Sequence, residues 1–163
     1  MAETAPLYCD YAATAPIRPE VTAAIAPWLS RAVGNPAALH PMGEEAKNTL
    51  EQARTLVANV FASATKNVTE EDVLFTSGGT EANNLAIKGL ALANPRGKHI
   101  VTSTIEHPAV HEPLKQLEKW HGFEVDYAPV TADGVVDLKA FEQLLRPDTT
   151  LVSIMTVNNE IGT

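Results

Sequence analysis

The residues Thr76-Ser77-Gly78-Gly79-Thr80 separate an apolar run, Val73-Leu74-Phe75, from an Ala/Leu/Ile-rich segment of helical spacing. Glycines let a backbone approach an anion closely, and the first amides of a helix have no partners inside it. The helix dipole adds an attraction of ~0.3–1 kcal/mol at an exposed site. Thr80 adds a hydroxyl donor, so the turn around Gly79 and Thr80 has the outline of a phosphate cup. It is neither a P-loop nor a GxGxxG fingerprint, which removes the main support for a nucleoside triphosphate or a dinucleotide. A glycine turn with Thr80 as an ordinary helix cap reads the same residues as well.

His107 stands in STIEHPAVHEP, after an apolar run and before a helix that Pro108 would start well. An imidazole there has two uses, stacking on a flat ring or moving a proton. His107 and His111 have the i,i+4 spacing of two metal ligands, but Pro108 occupies the place of a zincin's glutamate and no third ligand is evident, so no metal is expected. The last polar stretch is NNEIGT, whose Asn158 and Asn159 follow an apolar run and read by themselves as plain loop chemistry. Cys9, flanked by apolar residues and without a basic neighbour, is expected as a packed thiol and not a nucleophile.

These stretches need a framework that brings them together. Residues 19–33 and 43–62 carry apolar positions at helical spacing, with the loop GNPAALHPMG near their junction. From residue 71 onward short apolar runs alternate with helical ones. Strands are predicted at 73–75, 99–103, 123–128 and 151–157, and helices from the Gly-Gly turn to about 93, at 108–121 and at 137–145, with a turn at Asp133-Gly134. The helix after Gly79 has only a narrow polar strip and is expected to be mostly buried. Strands joined by helical crossovers give a mostly parallel sheet, here an α/β three-layer fold with helices on both faces. Ligands of such sheets gather at the carboxyl ends of the strands, where all the candidate residues fall. Residues 1–18, punctuated by Pro6 and Pro16, read as an extended segment ahead of a single domain over 19–163.

The 163 residues carry 20 acidic and 12 basic side chains, a formal charge of −8. That balance repels polyanions and argues against nucleic acid as a partner. One cysteine excludes an internal disulfide framework. An acidic N-terminus and the lack of any apolar run of about 20 residues imply no signal peptide, no membrane span and a cytoplasmic protein.

LYCDYAATAP, GNPAALHPMG, VLFTSGGTEANNLAIKG, GKHIVTSTIEHPAV and LVSIMTVNNEIGT, in this order and spacing, closely resemble the N-terminal part of cysteine desulfurases, in the class V aminotransferase group of pyridoxal-phosphate enzymes. The resemblance spans essentially the whole chain and implies the N-terminal part of the large domain of a fold-type I enzyme, with residues 1–18 near the small domain. It implies pyridoxal 5'-phosphate as cofactor, with the turn at Gly79 and Thr80 on its phosphate, His107 stacked on the ring and moving protons, and Asn159 beside the ring's phenolic oxygen. Asn35 and His40 match a loop near the active-site entrance and dimer interface, and Ala12-Ala13-Thr14 a strip on the substrate side.

The implied reaction takes sulfur from L-cysteine, leaves L-alanine, and loads the sulfur on an enzyme cysteine as a persulfide for a sulfur-acceptor protein, as in iron-sulfur cluster assembly. The complete enzyme is expected to be a homodimer. The family's imine lysine, its aspartate facing the pyridine nitrogen and its persulfide cysteine match no residue up to Thr163, so the chain is expected to be a fragment, inactive alone. A selenocysteine lyase or another class V aminotransferase is an alternative, as is a non-catalytic partner-binding chain or half of a split enzyme.

Overall fold

A computed structural model describes residues 7–62, 68–93 and 96–163. These divide into two compact units, one up to Phe75 and one from Thr76. The reading of residues 1–6 as extended lies outside the described residues.

In the first unit, α1 (Pro19–Ser30) begins on a proline, whose fixed φ and missing N–H suit the first helical turn. It stops before residue 33 and buries none of its side chains. Then α2 (Pro41–Ala62) follows a turn in which backbone passes close to backbone: a Cβ on Gly34 would lie 2.3 Å from the Met42 carbonyl, and one on Gly43 2.4 Å from that of Ala38. A short 3-10 turn, Glu70–Asp72, is closed by the carboxylate of Asp72, which accepts from the Thr69 N–H and hydroxyl. Cys9 is exposed, not packed. Within its segment, Tyr8 donates to the carbonyls of Asp10 and Thr14.

The expected strand at 73–75 does not form. The Val73 carbonyl accepts from the Arg54 guanidinium at 3.0 Å instead of from a ladder, and Leu74 and Phe75 are exposed. An apolar run alone does not make a strand without a neighbour to pair with.

The second unit holds α3 (Gly79–Ala93), β1 (His99–Ser103), α4 (Pro108–His121), β2 (Glu124–Ala128), α5 (Leu138–Leu144) and β3 (Thr149–Ser153). The sheet is all parallel, in the order β2-β1-β3. The first crossover leads from β1 to one side and the second returns past it to the other. With right-handed crossovers α4 and α5 therefore cover opposite faces. Ile100, Val125 and Leu151 lie in register on one face and meet Ile87 and Ala91 of α3 and Val110, Leu114 and Leu117 of α4. The α4 residues recur at i, i+4 and i+7, one stripe of a helix. Gly122, at φ +68, ends α4 in the left-handed conformation, and the Phe123 N–H returns to the Leu117 carbonyl.

All five residues of β1 are buried, and its polar members each have a partner. The His99 ring meets Thr149 Oγ1 at 2.7 Å and Asp126 Oδ2 at 3.0 Å, and the Thr102 hydroxyl donates to the Ser153 carbonyl. The helix expected to be mostly buried, α3, buries only Ile87 and Ala91; Leu85, Leu90 and Leu92 are exposed, because only the side facing α4 and the sheet is covered. Among the described residues no helix is long and apolar enough to cross a membrane.

Candidate active site

A helix of 15 residues spans about 22 Å, whereas a 5-residue strand spans about 17 Å. The C-terminal end of α3 lies near the amino edge of the sheet: just past it the Arg96 N–H donates to Thr150 Oγ1, and Gly97 is close against the Asp148 backbone. Running back along the sheet, α3 therefore puts its N-terminus at the carboxyl edge. Gly79 and Thr80 are its first residues, both exposed.

The chain leaves this helix start open in a specific way. Both the N–H and the hydroxyl of Ser77 donate to Glu81 Oε2, at 2.7 and 2.6 Å. The Ser77 hydroxyl, followed by the Ser77 N–H, holds the Glu81 carboxyl below the usual carboxylate range. The first amide to find a backbone acceptor is that of Ala82, on the Gly78 carbonyl. The N–H groups of Gly79, Thr80 and Glu81, and the Thr80 hydroxyl, make no hydrogen bond among the described residues. A Cβ added at Gly78 or Gly79 would meet no protein atom within 4 Å, and neither glycine has a positive φ. Nothing in the protein itself demands a glycine at either position, while the open space over unpaired amides and a hydroxyl fits a phosphate.

His107 lies at the same edge as the N-cap of α4. Its Nδ1 accepts the Ala109 N–H at 3.0 Å. An acceptor nitrogen carries no proton, so the neutral ring is protonated at Nε2, on the exposed ring. His111, one turn on, is half-buried against the Tyr127 ring at 5.7 Å, which gives it a packing role. Among the described residues no three His, Cys, Asp or Glu side chains are grouped to hold a metal.

Asn159 is exposed in the loop after β3, its amide donating to Glu160 Oε1 at 2.7 Å. Sequence reasoning missed Glu106 and read Asn158 as plain loop chemistry, yet these two residues tie this loop to the one carrying His107. Glu106, 7% exposed, accepts at Oε1 from the Ser103 hydroxyl and from the Met155 N–H, at 2.8 and 2.7 Å. Asn158, also 7% exposed, donates to the Ile105 carbonyl at 2.9 Å. A carboxylate three residues after a strand-end hydroxyl was the one local hint of Glu106. Asn35 and His40 belong to the first unit and make local bonds, Asn35 Oδ1 to the Ala37 N–H and His40 Nδ1 to the Gly43 N–H.

The model of the aminotransferase class-V family matches residues 7–163. The chain belongs to the class V aminotransferases. Within that family it is 48% identical over 158 residues to the cysteine desulfurase IscS of Dictyoglomus turgidum, covering 96% of this chain and 39% of that protein. It is 44% identical to the human cysteine desulfurase, again over 96% of this chain, and 34% of the human one. Among solved structures, a NifS-like protein superposes with a TM-score of 0.86 at 40% identity, covering 94% of this chain and 41% of that one. SspA in complex with cysteine gives a TM-score of 0.83 at 39% identity, over 94% and 43%. The class V chain thus spans between a third and about two-fifths of the length of these relatives, and the parallel α/β architecture is that of their N-terminal part.

Proposed function

We propose that this chain is the N-terminal part of a pyridoxal-phosphate-dependent cysteine desulfurase, with residues 19–163 in the cofactor-binding large domain and 1–18 an extended strip near the small domain. The observation that carries the proposal is the convergence at one sheet edge of unpaired amides at Gly79, Thr80 and Glu81 with the exposed ring of His107. The amides and the Thr80 hydroxyl hold the cofactor's phosphate, His107 faces its ring, and Asn159 stands beside the ring's phenolic oxygen. Bound there, pyridoxal phosphate supplies an electron sink for bonds broken in the amino acid. Because Ala109 occupies Nδ1, the proton that His107 holds or passes is the one at Nε2.

The substrate is L-cysteine, and the sulfur passes as a persulfide to an acceptor protein, leaving L-alanine. The complete enzyme is a homodimer in the cytoplasm. Residues 7–163 supply the phosphate cup and ring face but not the covalent anchor. Lys88 donates to Gln116, Lys98 to the His121 carbonyl, and Lys115 to Glu112. Alone, this stretch binds the cofactor reversibly and releases no alanine. The test is a titration of the chain with pyridoxal phosphate, followed by absorbance, then borohydride reduction and peptide mapping. Saturable binding that inorganic phosphate competes for, with no lysine labelled to completion, is expected. Absence of binding, or one stoichiometric lysine adduct with turnover, contradicts the proposal.

A further inference from the structure

We infer that Glu106 and Asn158 are positioning residues, a reciprocal brace that fixes the two loops presenting His107 and Asn159. The functional weight of the inference rests on the reading of those two as cofactor-facing residues. Each bracing residue directly precedes an exposed candidate in sequence, is itself 7% exposed, and bonds the opposite loop. Glu106 reaches from the loop after β1 to the Met155 N–H, 49 residues away, and Asn158 reaches back 53 residues to the Ile105 carbonyl.

The chemistry of the pair argues for placement. Glu106 takes two donors on the single oxygen Oε1, and no cation pairs with it among the described residues. Burying a carboxylate is costly without such bonds, and an apolar residue would fill the space at lower cost. What the carboxylate does and an apolar residue could not is capture the Met155 N–H, just past the end of β3 at Ser153. The chain then turns toward Asn159. Asn158 uses both ends of its amide: Nδ2 holds the Ile105 carbonyl, while Oδ1 accepts the N–H groups of Glu160 and Ile161 at 2.9 and 3.1 Å. Asn159 sits inside that closed turn. On the other side, Ser103, Glu106 and the capped start of α4 leave His107 between two fixed points.

Hydrogen–deuterium exchange, read by mass spectrometry on the intact protein, tests the brace. Glu106→Ala should speed exchange in peptides spanning 104–107 and 154–159 by ~10-fold or more, the scale of a lost hydrogen bond to a charged group, with β2 unchanged. Glu106→Gln keeps an oxygen that accepts both donors and should restore protection to within roughly threefold of the parent. Should Glu106→Ala fold poorly, Ser103→Ala removes one donor only and should give a smaller rise in the same peptides. Unchanged exchange, a rise spread over β1 and β2 alike, or a Gln variant as loose as the Ala variant overturns the brace. Pyridoxal phosphate affinity is measured in parallel. A parent protein that does not bind it would sink the cofactor reading, while the exchange data still decide the brace.

Discussion

Replacing Thr80 by alanine isolates one donor of the proposed cup. The Thr80 hydroxyl makes no bond to the described protein and the residue is exposed, so its loss orphans no partner and opens no cavity. The Thr80 carbonyl, which accepts from Asn84 Nδ2 at 2.9 Å, is untouched. The thermal midpoint without cofactor should therefore stay close to the parent's, since surface changes of this kind fall within about 0.5 kcal/mol. Against a phosphate, the same hydroxyl is a hydrogen bond to a charged acceptor, worth ~1.5–3 kcal/mol, or about 10- to 150-fold in dissociation constant. The three amides remain, so binding weakens without vanishing. Absorbance titration of the intact protein with pyridoxal phosphate measures the ratio, and the same titration with pyridoxal, which lacks the phosphate, should show no difference between parent and variant. Equal affinity of parent and Thr80→Ala for pyridoxal phosphate, or an equal loss for pyridoxal, would refute the placement of the phosphate on this turn.

His107→Asn retains a side-chain acceptor for the Ala109 N–H while removing the ring, so it should spare the fold. In the complete enzyme it should cut turnover by ~10²–10⁴, the usual share of a positioned proton donor or acceptor, with a smaller effect on cofactor retention. Steady-state kinetics at saturating cofactor checks this. Leu114→Ala, at a fully buried position between α3, α4 and the sheet, should cost ~2–5 kcal/mol in denaturant unfolding and leave the site residues' chemistry unchanged if the protein stays folded. Glu81 and Asp72 are both held below the usual carboxylate range, chiefly by hydrogen bonds from Ser77 and from Thr69 respectively. Their folded-state values are depressed, so the stability they lend is present above the unfolded carboxylate range and is lost as pH falls through their lowered values. Unfolding free energy measured from neutral to acid pH should accordingly decline at the acid end, and less steeply in a Glu81→Gln variant.

The elements were legible where apolar spacing and end signals agreed. Helix α4 starts at Pro108 and spans the predicted 108–121, and β1 occupies the predicted residues. The end of β3 was not legible, because its neighbour sets it: β1 ends at Ser103, so β3 stops at Ser153 instead of continuing to residue 157, and the Met155 N–H beyond it goes to Glu106. The run at 73–75 has strand composition but gives its Val73 carbonyl to Arg54. The amphipathic pattern of α3 says which side is apolar, not how much of it finds cover, and Leu90 stays exposed. The proposed cup and His107 were picked out as candidates by short-range signals, a glycine turn before a helix and a histidine before a proline. Glu106 escaped notice, and Asn158 was read only as loop chemistry, because the partners they hold across the two loops lie about fifty residues away.

The carboxyl edge of this sheet is proposed to hold pyridoxal phosphate by its phosphate on α3 and its ring on His107. A crystal structure of the intact protein with the cofactor tests it most directly. Phosphate oxygens are expected within hydrogen-bond distance of the Gly79, Thr80 and Glu81 N–H groups and the Thr80 hydroxyl, with the pyridine ring against the His107 imidazole. A phosphate bound elsewhere, or a ring out of reach of His107, would contradict it.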